Sequence, residues 1–137
     1  MKGKNPFTPQ AYVTKKQLKM QGSDNISSGK RGERIAAMYL QKQGYKIIEM
    51  NFKARYGELD IIAEDHGTLV FVEVKTRKTY EYGRPEEAVD PRKLRMVVKT
   101  AEYYKLLHPE LPELLRVDVV AVDLLKNTVR LIRNVTQ

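Results

Sequence analysis

Two neighbouring runs of strand-forming residues constrain this chain most. Glu58–Glu64 (ELDIIAE) and Thr68–Thr76 (TLVFVEVKT) are separated by Asp65-His66-Gly67, which is the signal of a β-hairpin. Side chains alternate faces along a strand, so the turn decides which residues meet. With His66-Gly67 as a two-residue connection, or Asp65–Thr68 as a four-residue one, Ala63 pairs with Val70, Ile61 with Val72, Asp60 with Glu73 and Glu58 with Lys75. Glu58, Asp60 and Ile62 then share a face with Phe71, Glu73 and Lys75. Leu59, Ile61 and Ala63 join Val70, Val72 and Val74 on an apolar face. A three-residue loop without a bulge would instead put the two acids on opposite faces.

Like charges directly across a hairpin, with Cβ atoms about 4.5–5.5 Å apart, destabilise a sheet. The Asp60–Glu73 pairing therefore calls for a counter-charge. A hard divalent cation supplies one, because Mg²⁺ takes oxygen ligands and commonly uses one or two carboxylates plus water and phosphate. Lys75, on the same face as Glu73, can hold a water near the metal or neutralise charge developing on a phosphate. An Asp, twelve intervening residues and then Glu-x-Lys contain the parts that metal-assisted phosphodiester hydrolysis needs. Spacing alone also fits a solvent-facing hairpin in which Glu58–Lys75 is an ordinary cross-strand pair.

The remaining elements follow from periodicity. Gly29–Gln43 predicts a helix, with Glu33, Ala36, Ala37 and Leu40 on one face and Gly44 ending it. Tyr45–Met50 predicts a strand and Lys53–Gly57 a loop. Arg77–Val89 reads as a long polar loop. Asp90-Pro91 starts a second helix, Asp as N-cap and Pro at the first helical position, with Leu94, Val97, Val98, Ala101 and Tyr104 as its apolar stripe and Pro109 and Pro112 beyond its end. Arg116–Asp123 and Thr128–Val135 are two more strands. The expected fold is α/β, in the order α-β-β-β-α-β-β, with a mixed sheet flanked by helices. Residues 1–28 predict a basic, flexible arm, in which residues 12–20 could form a short helix, and residues 29–137 a single domain.

Composition narrows the chemistry. The chain has no cysteine, which removes disulfides, thiolate zinc sites and a cysteine nucleophile. No Gly-rich phosphate loop and no Ser/His/Asp set is evident. No apolar run approaches a membrane span, and no apolar run follows the basic N-terminus as in a secretory signal, so a cytoplasmic protein is expected. The formal net charge is +8; residues 1–30 hold six lysines and one aspartate, a net of +5. Such a balance favours a polyanionic partner, nucleic acid first. Arg77, Lys78, Arg84 and Lys93 follow Lys75 closely and are the candidates for a phosphate track, while Tyr80 and Tyr82 could stack on unpaired bases. His66 is expected in a turn, His108 at a helix C-terminus, and Asp118 as a structural acid paired with Arg116.

Gly32-Glu33, Ala36-Ala37-Met38-Tyr39-Leu40, Gly44-Tyr45, Asn51, Gly57-Glu58-Leu59-Asp60, the run Phe71-Val72-Glu73-Val74-Lys75-Thr76-Arg77, and Ala88-Val89 through Lys93 together resemble the YraN-like family. That bacterial group is placed in the PD-(D/E)xK nuclease superfamily, near the archaeal Holliday-junction resolvases. The resemblance runs from about residue 29 to residue 122. It implies a restriction-endonuclease-like core, Asp60 and Glu73 as metal ligands, Lys75 as the catalytic lysine, and Glu33 as an accessory acid from the first helix. Periodicity agrees for Glu33, which shares a face with Ala36, Ala37 and Leu40.

The reading that joins these lines is a Mg²⁺- or Mn²⁺-dependent endonuclease acting on DNA rather than RNA, on branched or repair intermediates. The Val74 carbonyl is a further candidate ligand. Junction resolution would suit a homodimer. The alternatives are a non-catalytic nucleic-acid-binding module of the same fold, and a protein–protein adaptor with an unused acidic pocket.

Overall fold

The computed structural model describes residues 11–12, 26–79, 81 and 90–136. Within them the chain runs β1 (Ala11–Tyr12), α1 (Ser28–Lys42), β2 (Lys46–Ala54), β3 (Gly57–Asp65), β4 (Thr68–Arg77), α2 (Pro91–Leu107), β5 (Leu114–Asp123) and β6 (Thr128–Ile132). The strands form one mixed sheet in the order β1-β6-β5-β4-β3-β2. β4 and β5 are parallel, and the helical segment between them makes the crossover that parallel neighbours require. The α-β-β-β-α-β-β core is thus present. β1 is an addition: Ala11 pairs with Val129 and Tyr12 with Thr128 at the sheet edge. Tyr12 therefore lies in a strand, not at the start of a helix. The other expectations for residues 13–25 lie outside the described residues. No helix among the described residues is long and apolar enough to cross a membrane.

Local chemistry explains the helix ends. The Ser27 side chain caps α1 by accepting from the Lys30 N–H at 3.2 Å. Gly44, at φ 93°, lets the Gly44 N–H reach the Gln41 carbonyl and the Tyr45 N–H reach the Leu40 carbonyl, both at 3.0 Å. This double closure satisfies the orphan carbonyls of the last turn. Asp90 caps α2 by accepting from the Arg92 N–H at 2.8 Å, with Pro91 in the first turn.

The two helices cover opposite faces of the sheet. Ile35, Ala36, Tyr39 and Leu40 of α1 pack with Ile61, Ala63, Val70, Val72, Val120 and Val122. Val97, Ala101 and Tyr104 of α2 pack with Leu59, Ile62, Leu69, Phe71 and Val117. The hairpin register agrees with the sequence over Ile61↔Val72 and Ala63↔Val70. Two expectations need correction. Ile62 and Phe71 belong to a second apolar core, so the face expected to be polar is buried over half its length. Leu59 joins that second core rather than siding with Ile61. The cause sits at Asn51, whose φ is 58°. Met50 pairs with Ile61 and Phe52 with Leu59, yet Met50 packs on the α1 side and Phe52 on the α2 side. A left-handed residue between them rotates the chain, and strand alternation inverts across Asn51 and Asp60. β2 also continues through Ala54, so the expected loop shrinks to the turn Arg55-Tyr56.

Gly32 sets how closely α1 approaches the sheet. A Cβ there would lie 2.8 Å from Thr76 Cβ and overlap Thr76 Oγ1. Ala is favoured over Gly inside a helix by about 1 kcal/mol, while overpacking costs about 1–3 kcal/mol. Gly32→Ala is therefore expected to destabilise the chain and lower its urea midpoint. A midpoint that rises instead would show that α1 shifts freely.

Candidate active site

The acids and lysines singled out in the sequence gather where β3 and β4 part. β4 presents Glu73 and Lys75 two residues apart on one side. Glu73 is buried; its Oε1 lies 2.8 Å from Lys93 Nζ and 4.0 Å from Lys75 Nζ. Lys93 sits in the first turn of α2, which the Asp90 cap and Pro91 aim at the end of β4. The Glu73 Oε2 atom is buried with no hydrogen-bond partner among the described residues.

Asp60 does not make the cross-strand rung with Glu73 that the register predicts. The β3–β4 pairing ends at Ile61↔Val72. Beyond it the Asp60 Oδ2 atom accepts from the Val74 N–H at 2.8 Å. The side chain takes the place of a backbone acceptor and holds the carboxylate beside β4. Val74 thus contributes its N–H to the carboxylate. Glu58 pairs across the other hairpin with Lys53, rather than with Lys75. Glu33 arrives on α1, next to the Gly32–Thr76 contact. Its side chain is 16% exposed, with Lys30 Nζ at 3.8 Å, and its Oε2 is buried without a hydrogen-bond partner among the described residues.

The electrostatics are those of an under-compensated acidic pocket. Burial first, then the charge of Glu73 and that of Glu33, push Asp60 up to about 7; the Val74 N–H and Lys93 oppose the shift. Lys75 is lowered to about 8, by burial and then by the neighbouring Lys93 amine, with Glu73 and Asp60 pulling the other way. Burial is the largest influence on Lys93 and works against its charge, but the hydrogen bonds to Glu73 and Lys75 and the charges of Glu73 and Asp60 together outweigh it and raise the group.

The rest of the expected track is looser. Arg77 donates from Nη1 to the Thr76 carbonyl at 3.1 Å, and its Nε is buried without a hydrogen-bond partner among the described residues. Lys78 is exposed. Arg84, Tyr80 and Tyr82 lie outside the described residues. His66 occupies the β3–β4 turn and His108 caps the C-terminus of α2. Asp118 is a structural acid, held by Arg116 Nε at 2.9 Å, the Tyr45 hydroxyl at 2.7 Å and the Asn134 N–H at 2.9 Å. Arg116 also reaches Asp65 at 2.8 Å, so this network closes the α1-side core.

Two residues were underestimated by the sequence. Lys93 was expected only on the phosphate track, yet it touches Glu73; the helix-start signal Asp90-Pro91 was the clue to its position. Asn51 was given no role. It lies opposite Asp60 between two formed rungs, and its Oδ1 is buried without a hydrogen-bond partner among the described residues. A polar residue that tolerates positive φ, set in the middle of a strand, was the available signal.

The donor set fits a hard cation. It is made of carboxylate oxygens, two of them buried and unsatisfied. Among the described residues no three His, Cys, Asp or Glu side chains form a group able to enclose an ion.

A mixed sheet between two helices, with paired acids and a lysine where two strands part, is the architecture of the restriction-endonuclease-like proteins. Residues 32–122 match the Uncharacterised protein family UPF0102, and the chain belongs to that family, the YraN-like group of that superfamily. A UPF0102 protein of Persephonella marina is 46% identical over 94 residues, covering 69% of this chain and 81% of the relative. One from Syntrophomonas wolfei is 48% identical over 98 residues, covering 72% and 85%. One from Clostridium botulinum is 43% identical over 122 residues, covering 82% and 96%. Among solved structures, Pyrococcus furiosus SfsA in complex with Ca²⁺ is similar, with a TM-score of 0.35 and 18% identity; the match covers 74% of this chain and spans 60% of that one.

Proposed function

We propose that this chain is a Mg²⁺- or Mn²⁺-dependent endonuclease that hydrolyses DNA phosphodiesters, with branched or repair intermediates as its substrates. One observation carries the reading. Half-buried Asp60 and buried Glu73 are held at the same end of β4, and the cations of Lys75 and Lys93 leave a Glu73 oxygen unsatisfied. A bound divalent cation would supply a Lewis acid for the phosphoryl oxygen and a more acidic water. Asp60, with Oδ2 fixed by Val74, and Glu73, through Oε2, would hold it, and Glu33 would complete the acidic rim. Lys75 has its amine lowered toward neutral pH, which suits it to orient and deprotonate the attacking water. Lys93 is positioned to leave Glu73 for a phosphate oxygen once the acids have a stronger counter-charge. Arg77 and Lys78 would hold the flanking backbone.

The test is cleavage of linear and branched DNA with and without Mg²⁺. Lys75→Ala is expected to lose on the order of 10²–10³-fold in rate, the usual effect of removing one electrostatic donor, with its melting temperature nearly unchanged. Full activity in that variant would remove Lys75 from the mechanism.

A second reading is a non-catalytic nucleic-acid-binding module. It is favoured by the Lys93–Glu73 contact, which already supplies a cation to one acid. It requires DNA binding that is indifferent to divalent metal and survives loss of Asp60. Affinity that needs either one would eliminate it.

A further inference from the structure

The turn between β2 and β3 places an aromatic residue at the surface, where neither core needs it. Arg55-Tyr56 connects the paired residues Ala54 and Gly57. Neither is a preferred residue of two-residue hairpin turns, which favour Asn, Asp and Gly. Tyr56 is 41% exposed. The Lys99 ammonium lies 4.8 Å from its ring centroid, and the Arg55 guanidinium lies 6.0 Å away. The turn is seated firmly on α2. A Cβ at Gly57 would meet Thr100 Oγ1 at 3.4 Å, and Phe52 packs edge-on against Tyr104 at 4.9 Å between centroids. The platform is therefore fixed relative to the helix that carries Lys93.

Along the exposed side of α2, Arg92, Arg95, Met96 and Lys99 run from the turn that holds Lys93 against Glu73 to the Tyr56 ring. Arg92 to Lys99 spans seven residues, about 10.5 Å of helix. Such a row of cations offers a track for a nucleic-acid backbone. Glu102, one turn further on, ends it. Asp90 is occupied in capping the helix, and Glu58 is matched by Lys53 in the strand register.

We propose that Tyr56 is a stacking platform for an unpaired base, reached by a single nucleic-acid strand whose phosphates run along Arg92, Arg95 and Lys99 from the acidic centre. A row of cations alone would serve duplex and single strand alike. The exposed ring is the element that selects, because a base can stack on a side chain only when it is freed from its own helix. Met96, 43% exposed between the cations, adds an apolar surface for sugar or base. The inference deepens the nuclease reading by naming a substrate with unpaired nucleotides beside the cut, but it concerns binding and needs no metal.

The test uses the full chain in EDTA with a fluorescein-labelled single-stranded oligonucleotide and the same sequence as a blunt duplex. Tyr56→Ala is expected to weaken single-strand binding about tenfold, within the usual effect of losing one stacked base, and to leave duplex binding unchanged. Tyr56→Phe should bind as the wild type does. Arg95→Gln with Lys99→Gln should weaken both ligands and flatten the salt dependence. Equal losses on both ligands, no loss in Tyr56→Ala, or a Tyr56→Phe variant as weak as Tyr56→Ala would overturn the platform. Absence of cleavage in Mg²⁺ with these binding results intact would defeat only the nuclease reading. Cleavage that survives with no Tyr56 effect on binding would defeat only this inference.

Discussion

An Asp60→Asn chain is expected to melt at a higher temperature than the wild type in metal-free buffer near pH 8, and to lose its response to Mg²⁺ and Mn²⁺. The Asp60 carboxyl is raised from 3.8 to about 7 in the folded chain, chiefly by burial and then by Glu73. Between these values the folded state binds more protons than the unfolded state, so stability falls as pH rises through the window. Below about pH 4 the acid is neutral in both states and carries no penalty; above about pH 7 the full penalty is present. Asparagine keeps an acceptor for the Val74 N–H without the charge. The gap in melting temperature should therefore open between about pH 4 and pH 7 and reach on the order of 5 °C. Added Mg²⁺ should raise the wild-type melting temperature through ligand linkage and leave the variant unmoved. Calorimetric scans across pH, with and without metal, read both effects. A variant that melts lower at every pH and still responds to Mg²⁺ would end the assignment of Asp60.

The largest loss of stability is expected at Asp118. It is fully buried and accepts from Arg116, Tyr45 and the Asn134 backbone. Removing one partner of a buried ion pair leaves the other charge uncompensated, at a cost of about 3–5 kcal/mol. Arg116 keeps Asp65 at 2.8 Å, which places Asp118→Ala at the lower end of that range. Tyr45→Phe removes one hydroxyl from the same network and should cost about 1 kcal/mol. Urea unfolding of the two variants gives the comparison. A loss at Asp118 no greater than that at Tyr45 would mean that Arg116 turns outward to solvent when its partner is removed.

The hairpin was legible because its turn residues and its alternating apolar positions agree on one register. Ile61↔Val72 follows from that agreement, and with it the nearness of Asp60, Glu73 and Lys75. Glu33 was named through the family resemblance, and helical period agreed only that it leans toward the sheet. Leu59 was misplaced because strict alternation was assumed through Asn51, and no local pattern signals an inversion of parity. The Lys93–Glu73 contact depends on how α2 is set against the end of β4, a tertiary relation that spacing along the chain does not carry. The second core beneath α2 was hidden for a related reason. Ile62 and Phe71 share a face with Asp60 and Glu73 in a regular hairpin, so their burial required knowing that α2 covers only part of that face.

The irregular path of β2 bears on self-association. β2 is an outer strand of nine residues, and such an edge invites pairing with another chain. Its register shifts between Ile47 and Glu49, and Asn51 turns the backbone again, so its free amides and carbonyls do not form the straight row that an added strand needs. The opposite edge is a strand of two residues. Among the described residues, then, one edge of this sheet is interrupted by a register shift and a left-handed residue and the other carries a strand of two residues, features that disfavour edge-to-edge pairing.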